Sequence, residues 1–271
     1  MGPVSISKAG IFVGLGGSYN SVKLDQKIDL VGISNVFSGS TLVASGTAVG
    51  PAVPFHNIQT TFSPDAQAGY FRDIVGTNLF WGVKFAYKYL GVTFTDSNII
   101  APQAGSFTIV TPVPTVSSMT GHALIGSAQT EMTHELFLMP YIGQSFNNNA
   151  SVYLGAGPAV FHSRSTFYNV TGYAAVNGVP SDITGSPVSL SSSEWLWGGG
   201  AQIGIRYNLD PTWVLDLNYT YLITSRDKTN YQVPFASTVL NFTDSGTMFG
   251  SNTQRITAQA VSLTVNKVFS L

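Results

Sequence analysis

The stretch Leu79-Phe80-Trp81-Gly82-Val83-Lys84-Phe85-Ala86-Tyr87-Lys88-Tyr89 decides the architecture, because its two interleaved halves differ in character. Leu79, Trp81, Val83, Phe85, Tyr87 and Tyr89 form one set; Phe80, Gly82, Lys84, Ala86 and Lys88 form the other. Alternation with period two is the mark of a strand, whose successive side chains point to opposite faces. Two lysines therefore share a face, behind an aromatic wall.

The same grammar recurs outward from this segment. Ile11, Val13, Leu15, Gly17 and Tyr19 alternate with Phe12, Gly14, Gly16 and Ser18. Trp197, Ala201, Ile203, Ile205 and Tyr207 alternate with Gly198, Gly200, Gln202, Gly204 and Arg206. Residues 213–223 place Asp216 and Asn218 opposite Trp213, Leu215, Leu217, Tyr219 and Tyr221. Weaker versions run over residues 66–73, 134–145, 151–162 and 256–271. Three connections, residues 73–78, 146–150 and 208–212, are short and rich in Asn, Asp, Gly and Pro, which accept turn geometry. The other four, about residues 25–65, 97–128, 165–192 and 227–251, are long and rich in Ser, Thr, Gly and Pro. Strict alternation of short and long connections predicts one all-β domain over residues 1–271. It is an up-and-down antiparallel barrel of eight strands, with three short turns and both termini at one end and four long loops at the other. Length alone would also admit 16 strands of about 9–11 residues.

Charged residues make up 9% of the 271-residue chain, far below the roughly 25% of soluble domains, while mean hydropathy is +0.20. No apolar run is long enough for a membrane-spanning helix, so the low charge is not explained by helical spans. A net charge of −1 and the lack of a Lys/Arg run in sequence exclude a nucleic-acid partner. The absence of cysteine removes disulfides, thiol catalysis and cysteine-ligated metals. His56, His122, His134 and His162 are scattered, and neither a metal nor a cofactor is expected. Met1-Gly2-Pro3 lacks the charged and apolar regions of a signal peptide, so a membrane destination implies a leader already removed.

A water-soluble barrel would turn its aromatic stripe inward, and the opposite faces argue against that. Gly14, Gly16, Gly82, Gly198, Gly200 and Gly204 beside Lys84, Lys88, Arg206 and Asp216 suit a narrow, crowded lumen better than an exterior. Trp81, Tyr207 and Trp213 lie within a few residues of short turns, and Tyr19, Tyr89, Trp197 and Tyr221 lie about eight to ten residues further along, which matches two girdles about 9–11 residues apart on a tilted membrane strand.

The C-terminal Thr264-Val265-Asn266-Lys267-Val268-Phe269-Ser270-Leu271 resembles an outer-membrane targeting signal, with Phe269 and Leu271 as its apolar end. Together with residues 12–19, 68–71, 81–85 and 153–157, the chain resembles the OmpA-like superfamily of eight-stranded barrels from Gram-negative outer membranes. That resemblance implies outer-membrane lipid and lipopolysaccharide as surroundings, and the barrel-assembly machinery as a partner.

Counting inward residues from the short turns puts Lys84, Arg206 and Asp216 in a lower layer, with Lys88 and Glu135 higher. Opposite charges in a low-dielectric lumen pair. Side chains nearly fill an eight-stranded barrel, so these pairs read as a plug, with a narrow gate as the alternative. Catalytic signatures fail one by one. Gly14-Leu15-Gly16-Gly17 is followed by no helix, His134-Glu135 lacks a second histidine, and His122, His162 and Asp182 form no catalytic spacing. Asn169-Val170-Thr171 and Asn241-Phe242-Thr243 are chance glycosylation matches. Segments such as residues 30–33 and 107–110 alternate within the long connections. Pro51, Pro54, Pro102, Pro112 and Pro114 interrupt them, so they read as strand extensions or loop hairpins above the membrane. The expectation is a non-enzymatic scaffold displaying loops to a host or surface ligand. The runner-up is a small channel for ions, small solutes or hydrophobic molecules, and an outer-membrane hydrolase ranks third.

Overall fold

The computed structural model describes residues 9–51, 53–110, 112–146, 149–176, 179–239 and 241–271. The strands are β1 (Ala9–Ser38), β2 (Thr41–Val49), β3 (Val53–Asp73), β4 (Leu79–Ile109), β5 (Thr115–Ser145), β6 (Ala150–Val176), β7 (Val179–Asp182), β8 (Val188–Asn208), β9 (Trp213–Thr224), β10 (Asp227–Val239) and β11 (Phe242–Ser270). Among the described strands, β1, β3, β4, β5, β6, β8, β9 and β11 pair antiparallel in that order, and β11 returns to β1 from Gly10/Ser270 to Ser38/Phe242. This closes an eight-stranded barrel. β2 is wedged between β1 and β4, β7 pairs with β6, and β10 pairs with β11. Residues 74–78 and 209–212 are the short turns foreseen; Asn147 and Asn148 of the third lie outside the described residues.

The long connections go further than the strand extensions read at residues 30–33 and 107–110. They are strand almost throughout: β1 runs for 30 residues, and β4 and β5 for 31 each. A tilted strand crosses the hydrocarbon in about 9–11 residues, so most of each long strand stands beyond the membrane on the side away from the short turns.

The alternation continues into this outer region, but its polarity reverses. On β1 the outward set is Ile11, Val13, Leu15, Gly17 and Tyr19, followed by Ser21, Lys23, Asp25 and Lys27. The inward set passes from Ser18 and Asn20 to Val22, Leu24, Ile28 and Leu30. Near the turns the barrel is apolar outside and polar inside, as lipid requires. Further out it is polar outside, around an apolar core that includes Leu24, Phe94, Met132, Phe161 and Leu196, as water requires. A second apolar layer, including Ile28, Ile125, Phe167, Val170 and Met248, fills the far end.

Pro54 and Pro102 do not interrupt strands as expected; they lie within β3 and β4, opposite Lys27 and His122. The reason is a seam. The β3–β4 ladder ends at Asp65/Lys88, and the β2–β4 ladder begins only at Val49/Ala104. Between them β3 pairs with β1 alone and β4 with β5 alone, so both prolines sit on locally one-sided strands, where a missing N–H is tolerated. Pro64 marks the lower end of the seam, and Gly91, at a φ of 60°, forms a bulge between Tyr89 and Val92 in its wall.

Candidate functional site: the charged lumen

Alternation on β4, β5, β8 and β9 carries Lys84, Lys88, Glu135, Arg206 and Asp216 to the inner wall. Lys84 Nζ lies 3.5 Å from Asp216 Oδ2, with both side chains buried. Tyr153 bridges them: Lys84 Nζ donates to its hydroxyl at 2.8 Å, and the hydroxyl donates to Asp216 Oδ1 at 2.8 Å. Gln67 Nε2 donates to Thr264 Oγ1 and Asn266 Oδ1, both at 2.7 Å, and to Asp216 Oδ2 at 3.3 Å. Gln202 Nε2 donates to Asn218 Oδ1 and Thr220 Oγ1, each at 2.7 Å.

Arg206 is held differently. Its guanidinium carbon lies 4.7 Å from the Tyr141 ring centre, 4.8 Å from Tyr153, 5.2 Å from Phe12 and 5.5 Å from Phe80. Its buried Nη2 has no hydrogen-bond acceptor among the described residues, so ring faces supply part of the compensation. Glycine makes room for this cage. A Cβ at Gly204 would lie 2.4 Å from Tyr153 Cζ, and one at Gly82 would lie 2.4 Å from Tyr141 Cζ.

One step further out, Lys88 Nζ lies 3.3 Å from Glu135 Oε1. Asp65 faces Lys88 across the β3–β4 ladder and accepts from Ser18 Oγ at 2.8 Å. Lys84, Lys88 and Arg206 thus meet Asp65, Glu135 and Asp216, and the lumen charges balance. The space left between Asp65, Lys88, Gln202 and Ser262 is about 10 Å³, room for at most one water. Above it lie the apolar core and then an uncharged ring, in which Gln26 Nε2 donates to Thr130 Oγ1 and Asn252 Nδ2 to Ser165 Oγ.

Sequence reading found the five charges but not Asp65, Gln67, Tyr141 and Tyr153, although each falls on the inward parity of its strand. Residues 66–73, 134–145 and 151–162 alternate weakly, which hides Gln67, Tyr141 and Tyr153, and Asp65 falls at the end of a stretch that reads as a long connection. The aromatic set behaves uniformly: Tyr19, Trp81, Tyr89, Trp197, Tyr207, Trp213 and Tyr221 all face outward and are exposed. Phe269, paired with Ile11, and Leu271 are exposed at the turn end. There Asp210 accepts from the backbone N–H groups of Thr212 (2.6 Å) and Trp213 (2.8 Å) and from Thr212 Oγ1 (2.9 Å). Those bonds, the Thr212 N–H first, hold its carboxyl below the ordinary 3.8.

No family model matches the chain. Outer membrane protein P1 of Coxiella burnetii (strain RSA 493 / Nine Mile phase I) is 26% identical over 273 residues, covering 98% of this chain and 88% of that protein. Among solved structures, the outer membrane protein OprG from Pseudomonas aeruginosa aligns over 99% of this chain and 100% of its own, at 12% identity and a TM-score of 0.38. The outer membrane protease OmpT from Escherichia coli aligns over 98% and 99%, at 11% identity and a TM-score of 0.27. With its lipid-facing band and its curated relative, the chain is a β-barrel protein of the bacterial outer membrane.

Proposed function

We propose that this barrel is a non-enzymatic scaffold, of the OmpA-like kind its strand motifs resemble, that holds a rigid extramembrane barrel at the cell surface for contact with a surface or host ligand. One observation supports the reading: among the described residues the lumen charges pair in a buried side-chain plug, and an apolar core that includes Leu24, Phe94, Met132, Phe161 and Leu196 lies above it. In this reading the lipid band sits among outer-membrane lipid and lipopolysaccharide, and Phe269 and Leu271 are read by the barrel-assembly machinery.

Planar-bilayer recording tests it. Protein shown to be inserted should be silent, and Asp216→Ala or Glu135→Ala should admit conductance by loosening the plug. Reproducible ion-dependent steps from the unaltered chain would overturn the scaffold reading.

A second reading, lateral passage of small hydrophobic molecules through the wall, is favoured by the β3–β4 seam alone, where Thr61 Oγ1 donates to the Leu90 carbonyl at 3.3 Å. The chain has no cysteine of its own, so a cysteine pair placed across the seam gives a clean cross-link. Uptake of a hydrophobic solute that falls on oxidation and recovers on reduction would support this second reading.

A further inference from the structure

Sequence shows no basic run, yet the fold gathers one. Lys23 and Lys27 project outward from β1, Arg255 from β11 and Lys228 from β10, with Arg226 in the link before β10. The ladders set Asp25 beside both Arg255 and His56, and set Thr253 beside both Lys27 and Lys228. These are five of the 12 Lys and Arg residues in a chain of net charge −1. Nearby carboxylates are Asp25, Asp29, Asp227 and Glu194, the last accepting from Thr229 beside Lys228. Asp25 takes Lys23 at 3.1 Å and His56 at 2.7 Å, while among the described residues Lys27, Arg226, Lys228 and Arg255 have no ion-pair partner. At a similar height on another face, β5 and β6 set Glu131 opposite Arg164, a neutral pairing.

We propose that this face seats the phosphate groups of an outer-leaflet lipid. Its height selects that ligand. Tyr19, packed on Phe62 with ring centres 5.1 Å apart, ends the apolar band on β1, and Lys23 follows four residues along the same outward row. Four residues of strand span about 13 Å, and flexible lysine stems reach back toward a headgroup while their chains cover apolar surface. Arginine and lysine donors match phosphate oxygens. A soluble polyanion from outside would meet the hairpin tips first, and Ser38, Gly39, Ser40 and Thr41 at one tip carry no charge.

The test compares phosphatidylcholine vesicles containing diphosphorylated lipid A with vesicles containing its dephosphorylated counterpart. The readouts are lipid retained on the extracted full chain by native mass spectrometry and the temperature of the heat-induced gel shift. The unaltered protein should retain the phosphorylated lipid preferentially and shift at a higher temperature in its presence. At about fivefold per cation, K23Q/R255Q should weaken retention by more than tenfold, and R164Q should leave it unchanged. The gel shift reports folding of each variant independently, and K23Q alone provides a milder form with a fewfold loss. Equal retention of the two lipids, or undiminished retention by folded K23Q/R255Q, would overturn the proposal. Preference for a soluble sulfated polysaccharide over the lipid would overturn it in favour of a polysaccharide surface.

Discussion

Among the lumen residues, Asp216 has the most to lose. It is the carboxylate shared by Lys84, Tyr153 and Gln67, with its side chain almost fully buried in the inner wall. Breaking a buried pair strands the remaining charge, whereas replacing both partners with apolar groups is often neutral or stabilising. Asp216→Asn should therefore cost about 3–5 kcal/mol, read as a lower urea midpoint in vesicles, and K84M/D216L should recover most of it. Asp210 makes a pH prediction of the opposite geometry, on the exposed turn. Its folded-state carboxyl sits below 3.8, so its stabilisation is fully present above that value and is lost as pH falls through the folded value. Unfolding rates of the native chain and Asp210→Asn should differ at about pH 7 and converge on acidification toward about pH 2; a constant difference would show that the cap acts without its charge. The charges of the site were legible because a charge on a strand face stands out. Tyr153 and the ring cage around Arg206 were not, because an aromatic residue on the inward parity of a weakly alternating strand reads as ordinary core.

At the scale of strands, the membrane crossings were legible since lipid and lumen impose opposite chemistry on neighbouring residues. Their outer halves were legible only in pieces, such as residues 30–33 and 107–110. From Ser21 to Leu30 the period of two persists, but the polar residues move to the outward parity, and with Ser, Thr and Gly around them such stretches look like loop. Pro54 and Pro102 read as interruptions in the sequence, when the property they share with Pro64 is a strand with one ladder neighbour. The seam they mark should show in hydrogen exchange. Amides of residues 53–64, paired with β1 alone, should exchange faster than those of residues 66–72, which are paired on both sides. Equal protection across that boundary would mean that the seam is closed by bonds the ladder does not contain.

For the whole molecule, the reversal of polarity means that one continuous set of strands is folded by two solvents. Below the switch, lipid rewards the outward Leu15, Val261, Leu263 and Val265, and the lumen must neutralise its own charges. Above it, water rewards Lys23, Asp25 and Lys27, and the inner wall can be Val22, Leu24 and Ile28. Position along a strand, not the face alone, therefore sets the cost of a charge. Val265 and Thr257 share the outward face of β11, eight positions apart, one in the apolar band and the other level with Lys23. Val265→Arg should destabilise the vesicle-inserted barrel by about 2–4 kcal/mol, and Thr257→Arg by about 0–1. In a detergent micelle, which deforms around an exposed charge, the gap should narrow. Equal costs for the two substitutions in vesicles would place Thr257 within the hydrocarbon and move the switch outward, and the basic face with it.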